Sequence, residues 1–168
     1  MGWRRAVAVG GVLVGLVLIV YAVFGRPTDE ELIHAQLQRL AEAVSFTKPG
    51  NAVARGLALK GAFRDIFDDA IRAEIPELGS ARKGRRSLVE LGLQSTQFAR
   101  SLSLSFADTD IEVGTSRTTA AAKATAVVRA VTREGDDRQN DRQVHFVFAK
   151  TDDGWKIRRF RVIPPDEE

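Results

Sequence analysis

Apolar positions recur with a helical period before Arg100 and with a period of two after it. Thr28 and Glu31 form a capping-box pattern, and the apolar residues that follow are spaced four, three and four apart: Ile33, Leu37, Leu40 and Val44. This spacing predicts an amphipathic helix that ends before the breaker "TKPGN". Helical spacing also predicts a second helix from Ala52 to about Phe67 and a third from Ser87 to about Ala99.

Strands are predicted wherever apolar and polar residues alternate. A short early strand places Ile71, Ala73 and Ile75 on one face and ends at Pro76. Three further segments follow the first C-terminal strand: "AAAKATAVVRAVTR", "QVHFVFA" and "WKIRRFRV". The second of these puts Val144, Phe146 and Phe148 on one face and His145, Val147 and Ala149 on the other. Helices that precede a run of antiparallel strands predict an α+β domain whose helices cover one face of the sheet.

The first C-terminal strand contains a change of parity. Leu102, Leu104 and Phe106 share one face, but Ile111 and Val113 continue in the opposite parity. The strand is therefore either bulged or broken around Asp108 to Asp110. The residues "FADTD" also fit an ordinary turn.

An uncharged apolar segment of 19 residues, 6–24, opens the chain. As a helix it would extend about 28 Å, close to the thickness of the hydrocarbon core of a bilayer. Arg4 and Arg5 precede it and acidic residues follow, so the positive-inside rule predicts a single-pass anchor in the cell (inner) membrane with a cytoplasmic N-terminus and an extracytoplasmic domain. A signal peptide cleaved before Arg26 is the alternative, and would give a secreted protein. Gly11 and Gly15 form a GxxxG that could pair two such helices.

The predicted division is a cytoplasmic tip and membrane helix over residues 1–27, one domain over 28–165 and an acidic tail over 166–168. Three of the 25 Lys and Arg residues flank the apolar segment, so 22 cationic residues meet 22 acidic ones beyond it. A formally neutral domain lacks the broad positive field that drives nucleic-acid binding, and no nucleic-acid partner is expected. Cysteine is absent, which excludes disulfides and thiol chemistry.

The segments "GAFRDIFDDAIRAEIPEL", "GRRSL" and "FVFAKTDDGWKIRRFRVIP" resemble the nuclear transport factor 2-like (cystatin-like cone) superfamily over about residues 28–164. The resemblance implies three helices packed on a strongly curved antiparallel sheet, with a pocket at the wide end of the cone. The large side chains expected to line such a pocket are Phe63, Phe67, Phe98, Phe106, Phe146, Phe148 and Trp155. The superfamily includes isomerases, dehydratases, ligand-binding proteins and assembly subunits, so the fold alone does not give a function.

Candidate catalytic residues are sparse. The only tyrosine, Tyr21, lies in the apolar segment, so the domain has no tyrosine to stabilise an oxyanion. His145, acting with Asp108 or Asp110, is the weak candidate for acid–base chemistry. No sequence motif for a metal, a nucleophile or a phosphate-binding loop is present, so no metal or cofactor is expected.

Two clusters of basic residues are candidates for surface binding to anionic lipids or to an acidic partner. The first is Arg82, Lys83, Arg85 and Arg86, and the second is Lys156, Arg158, Arg159 and Arg161. We expect a non-catalytic, membrane-anchored domain that binds a protein partner or a small apolar ligand. The alternatives are a small enzyme that uses His145 and a structural homo-oligomeric module such as a homodimer.

Overall fold

The computed structural model describes residues 25–79 and 81–164. The predicted membrane segment, residues 6–24, and the predicted acidic tail, residues 166–168, lie outside these ranges. Within the two ranges, no helix combines the length and the hydropathy that a bilayer crossing requires.

The described residues form three α-helices and six strands. The helices are α1 (Asp29–Val44), α2 (Ala52–Ile66) and α3 (Arg85–Phe98). The strands are β1 (Phe67–Glu74), β2 (Arg82–Lys83), β3 (Ala99–Val113), β4 (Thr119–Thr132), β5 (Asp137–Thr151) and β6 (Gly154–Val162). This order confirms the predicted α+β fold.

Local capping sets the helix boundaries. The Thr28 hydroxyl accepts a hydrogen bond from the Glu31 amide at 3.2 Å, and the Thr28 amide donates to the Glu31 carboxylate at 2.7 Å, which confirms the predicted capping box. The Asn51 side chain accepts from the Val53 and Ala54 amides and so starts α2. The predicted starts of α1 and α2 are therefore confirmed, while α3 begins two residues earlier than predicted.

The six strands form one sheet in the order β2-β1-β6-β5-β4-β3. Every neighbouring pair is antiparallel except β1 and β6, which are parallel. The prediction of a wholly antiparallel sheet is wrong at this pair. Strand β1 enters the sheet from α2, far from β6 in the chain, so no hairpin connection forces the two strands to run in opposite directions.

Strand β3 is continuous and carries a bulge. Its register with β4 shifts between the pairs Ala107–Thr125 and Asp110–Lys123, and Asp108 has a φ of +47°. Aspartate tolerates this left-handed conformation better than most residues. The bulge returns Ile111 and Val113 to the core, so the predicted bulge is confirmed and the interpretation of "FADTD" as a turn is wrong.

The helices cover one face of the sheet, and this concave face holds the core. Four alanines of β4 are buried there: Ala120, Ala122, Ala124 and Ala126. Two of them lie opposite large rings of β5, in the cross-strand pairs Ala120–Phe148 and Ala122–Phe146. The rings occupy the space that the small side chains leave, so the predicted small-residue face of β4 is part of the packed core.

Candidate functional site

A cavity of about 340 Å³ lies between the helices and the concave face of the sheet. All three helices contribute to its wall, as do β1 and β3 to β6. The lining residues include Leu40 and Leu91 from the helices and Leu104 and Val128 from the sheet. Because the sheet curves around the helices, side chains far apart in the sequence converge on one space.

A connected set of aromatic rings forms one side of the cavity. Phe63 meets Phe67 edge-on at a centroid distance of 5.0 Å, and Phe106 meets Phe146 edge-on at 5.5 Å. Phe160 joins the two pairs, at 6.3 Å from Phe67 and 6.1 Å from Phe146. All five rings line the cavity. Edge-to-face packing of this kind holds the rings in defined orientations.

The expected pocket residues divide into three groups. Phe63, Phe67, Phe106 and Phe146 line the cavity. Phe148 and Trp155 are buried in the core but are not part of the cavity wall.

The third group is Phe98 alone, which is 73 % exposed. Its expected place in the pocket is therefore wrong. At about 100° per residue, Phe98 lies about 80° from the buried Leu88 around the axis of α3. The buried residue at this end of α3 is Ala99, which begins β3.

Phe160 is the aromatic residue of the cavity wall that sequence reasoning missed. Trp155 and Ile157 point inward, and the register between β5 and β6 then shifts at Arg158. This second bulge turns Phe160 and Val162 toward the cavity. The signal was present in the sequence, because the apolar residues of "WKIRRFRV" change parity as those of β3 do.

The cavity wall is almost entirely apolar. Ser95 is the one polar side chain among the described residues that line it, and its hydroxyl donates to the carbonyl oxygen of Gly92 at 2.8 Å. No ionisable side chain lines the cavity in the part of the chain that the structure describes. Nor does any group of three or more His, Cys, Asp or Glu within residues 25–79 and 81–164 have the arrangement of a metal site.

The loop between α1 and α2 is fastened to the cavity wall. Phe46 and Leu102 exchange two backbone hydrogen bonds of 2.7 and 2.8 Å, and the Leu104 amide donates to the Ser45 hydroxyl at 2.9 Å. The Arg55 guanidinium donates to the carbonyl oxygens of Val44 and Ser45 at 2.7 and 3.3 Å. Partial burial lowers the pKa of Arg55, but a guanidinium stays charged and so remains a donor.

His145 and the two aspartates lie on the wrong face for catalysis in the cavity. Asp110 is opposite Lys123, and Lys123 is opposite His145, so the three residues form one cross-strand row on the convex face. Strands are about 4.8 Å apart, which separates the backbones of Asp110 and His145 by roughly 10 Å.

Lys123 lies between His145 and Asp110, and all of these residues, like Asp108 at the bulge, are exposed. The proposed pairing of His145 with either aspartate is therefore wrong.

The basic residues of "RKGRR" do not form one surface. Arg85 forms an ion pair with Asp69, and Arg86 forms one with Glu90 at 3.1 Å. Arg82 and Lys83 belong to β2 at the edge of the sheet, where Lys83 lies opposite Arg72. Lys156, from the second predicted cluster, donates instead to Asp153 and to the carbonyl oxygen of Arg64.

A family model of the SnoaL-like domain matches residues 56–161. No curated protein matches the sequence. A Mycobacterium tuberculosis protein of unknown function is similar in structure, with a TM-score of 0.61 at 20 % identity over 79 % of this chain and 73 % of its own.

Two other solved structures are similar. A nuclear transport factor 2-like superfamily protein from Salmonella enterica has a TM-score of 0.56 at 18 % identity, over 79 % of this chain and 92 % of its own. The association domain of CaMKII from Caenorhabditis elegans has a TM-score of 0.51 at 12 % identity, over 67 % of this chain and 89 % of its own. At these identities the likenesses show the fold, which confirms the predicted nuclear transport factor 2-like architecture.

Proposed function

The chain belongs to the SnoaL-like domain family, and we propose that this member binds a small apolar molecule in its cone without transforming it. The observation that carries the proposal is the apolar wall of the cavity. Its volume, about 340 Å³, falls at the lower end of the range for small-ligand pockets, about 300–1,000 Å³. A ligand of matching size gains affinity from the apolar surface that it removes from water.

The same wall supports a non-catalytic role. Acid–base catalysis needs a titratable group within hydrogen-bond reach of the reacting atom, and stabilisation of an anionic intermediate needs donors directed at it. Among the described lining residues only Ser95 carries a hydroxyl, and Gly92 already accepts its hydrogen bond. Such a wall favours binding by shape and hydrophobicity.

We place this domain outside the cytoplasm, held to the inner membrane by residues 6–24. The length of this apolar segment and the arginines that precede it support the placement. Helix α1 begins at Asp29, only five residues after the segment ends. The domain would then lie against the membrane surface, where apolar ligands are concentrated. Homodimer formation and a protein partner stay predictions.

Photolabelling of the full-length protein in a neutral detergent tests the binding proposal. The probe is 3-(trifluoromethyl)-3-phenyldiazirine, a small uncharged molecule. On irradiation it loses N2 and gives a carbene that inserts into adjacent side chains. Peptide mapping should find adducts on the segments that contain Phe106 and Phe146. Adducts on residues 6–24 serve as an internal standard, because lipid-soluble probes label membrane segments.

Two neighbouring residues of β4 provide a matched pair of variants. Val128 lines the cavity, whereas Val127 precedes it on the strand and points to the opposite face. Val128→Phe should fill the cavity and reduce labelling of its wall severalfold, and Val127→Phe should leave labelling unchanged. Equal labelling in both variants, or an unlabelled cavity wall in the unsubstituted protein, would contradict the proposal.

A further inference from the structure

Three basic residues lie side by side on the convex face of the sheet. Arg72 of β1 is opposite Lys83 of β2 on one side and opposite Arg159 of β6 on the other. Cross-strand neighbours point to the same face, and adjacent strands are about 4.8 Å apart. The three residues therefore form a cationic row that is contributed by three strands.

A fourth cation completes the group. Arg158 is the extra residue of the β6 bulge, where the register with β5 shifts, and its side chain joins the row. The four cations line a shallow hollow of about 510 Å³ together with Gly84 and the exposed Val147. Because Gly84 lines the hollow and directly precedes α3, the positive end of this helix adjoins the hollow. Gly84 provides no side-chain cap for that helix end.

The positive charge of the hollow is largely uncompensated. None of the described residues that line it is acidic. The nearest ion-pair partner is Glu74, which lies 3.8 Å from Arg159 and 4.0 Å from Arg161. Arg72, Lys83 and Arg158 form no ion pair within the described residues. Like charges directly opposite each other on neighbouring strands destabilise a sheet, and a bound anion would offset that cost.

We propose that this hollow binds a phosphate group, either free or as the headgroup of an anionic phospholipid. Arginine donors pair well with phosphate oxygens because the guanidinium presents two parallel N–H groups. Strand β6 connects the hollow to the point where the chain enters the domain. Arg159 lies four residues along β6 from Trp155, about 13 Å, and the Trp155 indole contacts Asp29 at the start of α1. A headgroup in the adjacent leaflet would be within reach of a tethered domain.

The acetylation rate of Lys83, a single residue in the wall of the hollow, measures whether the hollow is occupied. Full-length protein is reconstituted in phosphatidylcholine nanodiscs and treated with acetic anhydride, with and without inorganic phosphate. A second preparation replaces part of the phosphatidylcholine with phosphatidylglycerol and contains no free phosphate. Lys60 and Lys123, which are exposed elsewhere on the domain, serve as reference residues.

We expect bound phosphate to slow the acetylation of Lys83 severalfold and to leave the two reference lysines unchanged. Protection by inorganic phosphate alone identifies a free phosphate ligand, and protection by phosphatidylglycerol identifies a lipid headgroup. Protection of Lys83 in neither preparation overturns the proposal. Equal slowing at all three lysines also overturns it, since that result reflects general screening of charge.

Charge reversal at two arginines distinguishes an effect of the hollow from an effect of the protein's net charge. Arg158→Glu should raise the phosphate concentration needed for half-protection by about tenfold or more, the equivalent of one lost charge-assisted contact. Arg138→Glu makes the same change in net charge at the far end of β5 and should have less than about a twofold effect. If Arg158→Glu does not fold, Arg72→Gln compared with Arg138→Gln provides the same test. Equal effects of the variants at Arg158 and Arg138 would contradict the site.

Discussion

The indole Nε1 of Trp155 donates a hydrogen bond of 2.9 Å to the carboxylate of Asp29. Lys150 donates to the same carboxylate oxygen at 2.7 Å, and Arg117 approaches the other oxygen at 3.7 Å. Asp29 is the first residue of α1, whereas the other three residues belong to the turns and strand ends of the sheet. This contact fastens the start of the domain, next to the predicted membrane exit, to the end of the sheet.

Acidification should release this contact. The hydrogen bonds from Lys150 and Trp155 lower the pKa of the Asp29 carboxyl below its usual value. A lowered pKa in the folded state stabilises the protein above the pKa of the unfolded chain, about 3.9, and the stabilisation is lost as the pH falls through the folded-state value. Asp29→Asn should therefore lower the urea midpoint at pH 7, and its difference from the unsubstituted protein should shrink as the pH approaches 3 and below.

Glu30 provides the control for that experiment, because it is exposed in the same first turn of α1. Glu30→Gln removes the same charge from the helix N-terminus without touching Trp155 or Lys150. Its urea midpoint should change less than that of Asp29→Asn at pH 7. Equal shifts in the two variants would mean that only the helix dipole is involved.

Phe146 should be a major contributor to stability. Its ring is buried, contacts three other phenylalanine rings and lines the cavity. Phe146→Ala should lower the free energy of unfolding by about 3–5 kcal/mol in urea denaturation. Val147→Ala, at the next residue on the convex face, should change it by less than about 0.5 kcal/mol. A small effect at Phe146 would show that the cavity wall collapses to fill the space.

His145 should be dispensable for ligand binding. Its side chain is exposed on the convex face and lies opposite Lys123 and Arg161. His145→Ala should leave photolabelling of the cavity unchanged and alter the free energy of unfolding by less than about 0.5 kcal/mol. Loss of cavity labelling in this variant would place a functional role on the convex face.

Arg55 should control how firmly the loop between α1 and α2 closes the cavity wall. Arg55→Met keeps much of the aliphatic stem but removes the donors to Val44 and Ser45. We expect a loss of about 1–3 kcal/mol in the free energy of unfolding, since hydrogen bonds from a charged donor are stronger than average. Hydrogen exchange of the Phe46 and Leu102 amides should quicken.

Lys60 of α2 provides the comparison for Arg55. It is exposed and forms no ion pair among the described residues. Lys60→Met makes the same change in charge and should leave amide exchange at Phe46 and Leu102 unaltered. Faster exchange in both variants would indicate a general loosening of the domain.

Several features could be predicted from short stretches of sequence because local interactions determine them. The capping box of Thr28 and Glu31 marks the start of α1, and the breaker "TKPGN" precedes the start of α2. The parity change between Phe106 and Ile111 predicted a bulge as one of two alternatives, and the structure contains it. Alternation also predicted correctly that His145 and Phe146 occupy opposite faces. It did not indicate which of these faces the helices cover.

The amino-acid sequence by itself determined the three helices, the longer strands and, apart from Phe98 and the β6 bulge, which residues of each element share a face, because periodicities of 3.6 and 2 residues are properties of single elements. Only the tertiary structure decided that β1 pairs in parallel with β6, that Phe98 lies outside the cavity, and that Arg72, Lys83 and Arg159 meet. These relationships join segments separated by up to about 90 residues. A neutral overall charge also conceals a local concentration of cations, because folding, not composition, sets the distances between charges.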